Sequence, residues 1–232
     1  MREKKVIYTL NIGNYSTAIT SLTYPLLQRY ADKIGAEFQI IATRQFPEWP
    51  VVYEKLQIYE LGKDNDWNIY IDSDAVVHPD MFDVTDHLRK DTVLHNGRDM
   101  AGNRWTYDRF FRRDGRHLSS CNWFTIASDW CIDLWKPLDD LTMEEAIKNI
   151  HPVWSEHLPG LIDPGHLIDD YTLSRNIAKF GLKFDTLMEM NERRGDKADY
   201  LFHLYNITEQ AKVQQITEYL LKKGLLKFLT NY

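Results

Sequence analysis

Ile69-Tyr70-Ile71-Asp72-Ser73-Asp74 is an apolar run that ends in two acidic residues. The apolar part is typical of a short buried strand. In an extended chain, residues i and i+2 point to the same side, so we expect Asp72 and Asp74 to converge on one hard divalent cation. Ligands bind at the carboxyl ends of strands in open α/β sheets, which favours a binding site here. A solvated Asp-Ser-Asp turn is the alternative for such a short motif.

Apolar runs and helical patterns alternate on both sides of this stretch. Strands are predicted at residues 6–10 and 38–42 before it, and at 92–94, 123–127, 183–184 and 201–204 after it. Helical spacing of apolar residues precedes Gly35, recurs at 52–59 and 173–180, and closes the chain at 213–220. The alternation predicts an α/β, Rossmann-like single domain over residues 1–232, with a mostly parallel mixed central sheet.

Composition excludes several classes of partner. A net charge of −6 and a pI near 5.7 argue against extended contacts with nucleic acid or an anionic membrane. The apolar run after the charged segment Met1 to Lys5 is too short for a signal peptide or a membrane span, so we expect a cytoplasmic protein. Cys121 and Cys131 lack the spacing of a disulfide framework or a zinc site.

A family resemblance covers the centre of the sequence. GT-A glycosyltransferases, and most closely the glycogenin-like nucleotide-diphospho-sugar transferases, are similar to three segments: Tyr53-Glu54-Lys55-Leu56, Tyr59-Glu60-Leu61 and Trp67-Asn68-Ile69-Tyr70-Ile71-Asp72-Ser73-Asp74-Ala75-Val76-Val77. The resemblance implies a GT-A fold in which Asp72 and Asp74 hold Mn²⁺ or Mg²⁺ on the donor diphosphate. It also implies that Asp72 is shared with the ribose, that Ser73 lies in the nucleotide-sugar site, and that Lys55 reaches the donor.

Other segments extend the resemblance towards both ends of the chain. Thr9, Asn11 and Tyr15 resemble the family motif that binds uridine and stacks an aromatic ring on the base. A strand end followed by a core tyrosine is the alternative for these three residues. Asn122 resembles the asparagine that contacts the donor sugar, although a turn residue is equally consistent with its position.

Two late motifs complete the implied site. Asp169 and Asp170 resemble the acidic pair that opens the catalytic helix of the family. The alternative is a helix N-cap with favourable charge at the helix dipole. His203 resembles the third metal ligand, beside Asp72 and Asp74, and the alternative is a structural histidine.

One departure from the family concerns the diphosphate. The glycogenin-like group has a Lys-Pro-Trp segment after its histidine, whereas Tyr205-Asn206-Ile207-Thr208 follows here. The diphosphate must therefore be neutralised in another way. The loop between Arg98 and Arg116 is a candidate, as a lid or acceptor wall or simply as a solvated loop. Its arginines and aromatics are Arg98, Arg104, Arg109, Arg112, Arg113, Arg116, Trp105, Tyr107, Phe110 and Phe111.

Together these patterns predict a metal-dependent glycosyltransferase that moves a sugar, preferably from a UDP-sugar, to a saccharide or other hydroxyl acceptor. We expect residues 1–80 to bind the nucleotide and residues 81–232 to form the acceptor side. Inversion follows if Asp169 or Asp170 takes the acceptor proton, and retention if neither reaches it. The rival interpretations are a haloacid-dehalogenase-like phosphatase with Asp72 as nucleophile and Asp74 as general acid, and a sugar-nucleotide-binding module without turnover.

Overall fold

Parallel strands alternate with helices at the start of the chain, in a computed structural model that describes residues 3–96, 123–150, 164–204 and 207–229. The elements are β1 (Lys5–Leu10), α1 (Thr17–Ile34), β2 (Glu37–Ile41), a 3₁₀ helix (Val51–Gln57) that runs into α2 (Ile58–Leu61), and β3 (Trp67–Ile71). Ser16 caps α1, and Gly35 ends it in the left-handed conformation. β1 and β3 are buried along nearly their whole length because both faces of the sheet are covered.

Shorter elements build the rest of the chain. They are β4 (Val76–Val77), a 3₁₀ helix (Val84–Asp86), β5 (Thr92–His95), β6 (Phe124–Ser128), a 3₁₀ helix (Asp129–Trp135), α3 (Met143–Asn149), a 3₁₀ helix (Pro164–Leu167), α4 (Ile168–Phe180), β7 (Lys183–Thr186), α5 (Leu187–Arg194), β8 (Leu201–Phe202), α6 (Glu209–Lys222) and a 3₁₀ helix (Leu226–Phe228).

The central sheet has six strands in the order β2-β1-β3-β6-β5-β7. Strand β6 runs antiparallel to both β3 and β5, while the pairs β1–β2, β1–β3 and β5–β7 are parallel. The expected α/β fold with a mostly parallel mixed sheet is confirmed. Because β6 is inserted beside β3, the segment that leads into it lies next to the end of β3.

Apolar side chains cover both faces of the sheet. One cluster joins α4 and the 3₁₀ helices to one face, with Tyr53, Leu56, Trp135, Tyr171 and Ile177 among its members. The cluster on the opposite face joins α1 and α5 and includes Leu27, Tyr30, Met81, Leu187 and Met190. A third cluster packs α6 on α1 and β4 through Ile19, Leu26, Val76, Ile216 and Leu220. Each fully buried aliphatic side chain contributes about 1.5–3 kcal/mol, so α6 is firmly docked.

Several short elements of the structure were not predicted from the sequence patterns. Pro25 lies inside α1, which begins about two turns earlier at Thr17. The elements β4, α3 and α5 were missed because two to eight residues give too few periods to detect. In the described parts of the chain, no helix has the length and apolar character needed to cross a bilayer.

Candidate metal and nucleotide site

The Asp-Ser-Asp segment is a turn rather than the continuation of β3. The strand ends at Ile71, and the Ala75 N–H donates to the Asp72 carbonyl oxygen at 3.0 Å. Our prediction that extended backbone places Asp72 and Asp74 on one side is therefore wrong. The carboxylates still come together, because the turn folds the second one back towards the first. The Asp72 N–H donates to the Trp123 carbonyl oxygen at 2.9 Å, which fixes the start of the turn beside β6.

The small sheet brings His203 to this turn. Strands β4 and β8 are antiparallel and pair Val76 with Phe202, so the residue after Phe202 lies beside the turn that precedes Val76. His203 Nε2 is 3.2 Å from Asp74 Oδ1 and 3.7 Å from Asp72 Oδ2. The imidazole stacks on Trp123, with ring centroids 4.7 Å apart. The sequence suggested His203 as a partner of the two aspartates, and the structure places the three together.

The three side chains fit a divalent cation. Their candidate ligand atoms all lie within 4.8 Å of one another. Ligands about 2.1 Å from an octahedral ion are roughly 3 Å apart when they are neighbours, so the separations of 3.2 and 3.7 Å are suitable. Two carboxylate oxygens and one imidazole nitrogen form a donor set that can hold a divalent cation. Burial opposes ionisation of Asp74, but the hydrogen bond and charge of His203 and the Lys212 ammonium outweigh it and lower the pKa of the carboxyl.

Lys55 links Asp72 to the acidic pair of α4. Its Nζ lies 3.1 Å from Asp72 Oδ1 and 2.6 Å from Asp169 Oδ2, and the residue is only 2% exposed. Burial alone would lower the pKa of Lys55, but the two carboxylates raise it above the usual lysine value. The Tyr70 hydroxyl donates to Asp72 Oδ1 at 2.5 Å. Burial and the Asp72 charge raise the pKa of Tyr70 well above its usual value, so this hydroxyl keeps its proton.

The acidic pair lies in the first turn of α4, after Leu167 at the N-cap position. Asp169 is fully buried and holds Lys55, whereas Asp170 is 9% exposed. Neither aspartate is the cap residue, so that part of the structural alternative is wrong. Their charges still lie at the positive end of the helix dipole. Through Lys55, the structure joins Asp169 to the same cluster as the metal-ligand candidates.

Lys212 is the site residue that the sequence analysis missed. Its ammonium forms an ion pair with Asp74 Oδ2, and the Tyr15 hydroxyl donates to the same oxygen at 3.2 Å. Lys212 lies on α6, four residues before the buried Ile216 and on the same face of the helix. It is 8% exposed. Its place on the buried stripe of an amphipathic helix is the one local signal, and that signal is shared with lysines whose stems merely cover a helix face.

The residues expected to bind the nucleoside separate into two groups. Thr9 is fully buried, with its Oγ1 3.1 Å from Ser73 Oγ, and Ser73 Oγ also lies 3.3 Å from the Tyr24 hydroxyl. Thr9 and Ser73 therefore tie β1 and α1 to the acidic turn. Asn11 Oδ1 is buried without a hydrogen-bond partner among the described residues, and Tyr15 is 39% exposed. These last two side chains are the better placed of the group to contact a ligand.

Two of the predicted features are not among the described residues. Asn122 and the loop between Arg98 and Arg116 lie outside the described residues, as do Tyr205 and Asn206 of the segment that replaces the family clamp.

Solved structures share this architecture. A glycosyltransferase involved in the glycosylation of the major capsid of PBCV-1 superposes with a TM-score of 0.51 at 9% identity, over 93% of this chain and 99% of that one. An active-site variant of LgtC gives a TM-score of 0.50 at 10% identity, over 92% of this chain and 95% of that one. The chain has a GT-A fold. Comparison of the sequence with family models and with curated proteins gives no match, so the likeness rests on structure.

Proposed function

We propose that this GT-A chain is a metal-dependent glycosyltransferase that moves a sugar from a nucleotide diphosphate, preferably a UDP-sugar, to an acceptor hydroxyl. The observation that carries the proposal is the group formed by Asp72, Asp74 and His203 at the carboxyl end of β3. In open α/β sheets this end of a strand is where ligands bind. A phosphatase with Asp72 as nucleophile has no use for a histidine between the two carboxylates, which favours the transferase.

The chain's own residues divide the work at the donor. Asp72, Asp74 and His203 would hold Mn²⁺ or Mg²⁺, which when bound acts as a Lewis acid on the diphosphate leaving group. Lys55 holds the Asp72 carboxylate in place and adds a fixed positive charge near the diphosphate. Fixed cations favour the transition state over the bound donor, because negative charge on the leaving group grows as the glycosidic bond breaks.

The two acids of α4 take different roles in this proposal. Asp169 is buried and bound to Lys55, so we assign it to positioning. Asp170 is its neighbour in the first helical turn and is the residue that we propose to lie against the sugar or the acceptor hydroxyl. Asp170→Asn should therefore lower kcat while leaving the affinity for the nucleotide diphosphate unchanged. Equal loss of nucleotide affinity would remove Asp170 from this role.

The preference for uridine rests on Asn11 and Tyr15. Both lie between β1 and α1, and Tyr15 reaches the metal-ligand candidate Asp74. Competition of UDP, GDP and ADP for the bound donor tests the preference, and tighter binding of a purine diphosphate than of UDP would contradict it.

Release of UDP from a donor sugar in the presence of acceptor separates an enzyme from a binding module, since binding alone leaves the donor intact.

The central test removes the histidine. In His203→Ala, calorimetry with UDP present should show Mn²⁺ affinity reduced by at least about tenfold, because an imidazole ligand and its orientation are lost. Circular dichroism should show an intact fold. His87→Ala is the matched control, because His87 is exposed and contacts Phe82 and Arg194 instead. A folded His203→Ala protein with wild-type Mn²⁺ affinity would refute the assignment, as would full transfer activity in excess EDTA.

A further inference from the structure

The two carboxylate oxygens of Asp74 have different partners. Oδ1 faces His203 Nε2 at 3.2 Å, and Asp72 Oδ2 lies 3.7 Å from the same nitrogen. Oδ2 accepts from the Tyr15 hydroxyl and is paired with the Lys212 ammonium. Because Oδ2 is already bound by two donors, Asp74 offers only Oδ1 to a cation. A carboxylate used in this way supplies one ligand atom, although it can supply two in other sites.

The Lys212 ammonium is held where it opposes a second cation. Lys212 is 8% exposed, and its helix is docked by Ile216 and Leu220 in the third apolar cluster. The Lys212 ammonium group is paired with the same carboxylate that a divalent cation would use. The surroundings of this ion pair screen charge less than bulk water does. A divalent cation that arrives alone therefore meets a like charge that is already paired with Asp74. An anion that arrives with the cation removes that penalty.

We propose that Lys212 couples metal binding to diphosphate binding, by holding Asp74 Oδ2 until a diphosphate oxygen accepts its ammonium group. This inference rests on the proposed function, since it needs a nucleotide diphosphate at the site. A lysine ammonium carries three donors on a flexible stem, so rotation of the side chain is enough to exchange one acceptor for another nearby. The role also meets the need for charge left by the missing Lys-Pro-Trp segment after His203.

The charges of the cluster favour this order of events. Three carboxylates are held by two ammonium groups: Lys55 pairs with Asp72 and Asp169, and Lys212 pairs with Asp74. The five groups together carry a single negative charge, so they hold a divalent cation weakly by charge alone. With the cation bound, the set becomes positive and attracts a diphosphate. Removing the charge of Lys212 should strengthen the first step and weaken the second.

The experiment measures this coupling directly. Calorimetry gives Mn²⁺ affinity with and without saturating UDP for the wild type, Lys212→Gln, Lys212→Met and Lys212→Arg. The ratio of the two affinities is the coupling factor, and linkage requires Mn²⁺ to change UDP affinity by the same factor. We expect the uncharged variants to bind Mn²⁺ alone more tightly than the wild type and to show a coupling factor roughly tenfold smaller. Lys212→Arg keeps the charge and should keep most of the coupling.

Lys222→Gln is the matched control. It removes an exposed lysine from the same helix, roughly 15 Å along the axis, and should leave the coupling unchanged. Association of Mn²⁺ with UDP in solution is the same for every variant, so it cancels in the comparison. Lys212→Gln and Lys212→Met both remove the charge, and circular dichroism shows which of them is folded. One folded uncharged variant is enough for the test. An unchanged coupling factor in that protein, with the wild type binding both ligands, overturns the inference alone. A wild type that binds no UDP with Mn²⁺ overturns the proposed function and the inference together.

Discussion

The two aspartates of the acidic turn are held in the same way but by different parts of the fold. Each carboxylate receives one lysine ammonium and one tyrosine hydroxyl: Lys55 and Tyr70 for Asp72, and Lys212 and Tyr15 for Asp74. The Asp72 partners come from the central sheet and the buried 3₁₀ helix that precedes it. The Asp74 partners come from α6 and from the segment between β1 and α1.

This difference separates a permanent contact from an exchangeable one. Lys55 is shared with the fully buried Asp169, so a change at Lys55 removes an ion pair from two carboxylates at once. Tyr15 is 39% exposed, so water can replace its contact with Asp74. The Asp72 side therefore acts as fixed scaffold, and the Asp74 side is where ligands can displace internal partners.

The largest expected effect is on the Asp72 side. Lys55→Met removes a buried ammonium group that forms ion pairs with Asp72 and Asp169, and we expect the free energy of unfolding to fall by about 3–5 kcal/mol. Lys212→Met should cost less, because Asp74 keeps His203 and Tyr15 as partners. Urea denaturation of the metal-free proteins measures both.

Lys63→Met is the control, since Lys63 is exposed and pairs with Glu60 on the surface, where ion pairs contribute little. Lys55→Met combined with Asp169→Asn should recover part of the loss, because a buried carboxylate charge is removed together with the ammonium group. A greater loss from Lys212→Met than from Lys55→Met would reverse the proposed difference between the two sides.

The dependence of folding stability on pH reports on the two sides of the turn only after the contribution of the buried His95 is subtracted. Both ring nitrogens of His95 lack hydrogen-bond partners among the described residues, and the ring stacks on Phe184. Burial lowers the pKa of His95 to about 4, against a smaller opposing effect of Asp185. Between pH 4 and 6.5 the unfolded chain binds more protons than the folded one, so stability falls as pH is lowered through this range. The expected loss is roughly 3 kcal/mol.

Urea denaturation at pH 7 and pH 4.5 tests this in the wild type and in His95→Phe, which keeps an aromatic ring beside Phe184 but cannot be protonated. The variant should lose most of the pH dependence in this range, and whatever remains belongs to other groups. An equally steep loss of stability in the variant would show that His95 is not its source.

Prediction of structural elements from the sequence succeeded best where the pattern of residues is local and regular. The apolar strand that ends before Asp72 and the helix that ends before Gly35 both follow from short-range preferences for burial and left-handed backbone. The resemblance suggested His203 as a partner of the aspartates, which the structure supports through the β4–β8 pairing. Two-residue strands of this kind carry no periodic signal of their own.

What escaped prediction depends on three-dimensional contacts. The turn at Asp72 to Ala75 replaces the expected extended chain, because its backbone bonds to itself and to Trp123. Lys212 joins the site only because α6 docks on α1 and β4, a contact between residues far apart in sequence. Nothing in its local sequence distinguishes it from a lysine whose stem covers a helix face.

The smallest effect, and the sharpest comparison, comes from the two tyrosines. Tyr70→Phe keeps the ring that lies 4.8 Å from Lys55 Nζ and removes only the hydroxyl that donates to Asp72 at 2.5 Å. A buried hydrogen bond to a charged group contributes about 1.5–3 kcal/mol, and we expect a loss of stability in that range.

Tyr15→Phe should cost less than about 1 kcal/mol, because its longer bond to Asp74 lies at a partly exposed side chain that water can replace. The two variants delete the same atom from matched positions and so serve as controls for each other in urea denaturation without metal.

Binding of UDP in the presence of Mn²⁺ should show the opposite order of effects. Tyr15→Phe changes a residue that we propose to contact the nucleotide, so it should weaken UDP binding, as measured by calorimetry, more than Tyr70→Phe does. If both substitutions cost the same stability and the same UDP affinity, the two sides of the turn are equivalent and the distinction between scaffold and exchangeable contact fails.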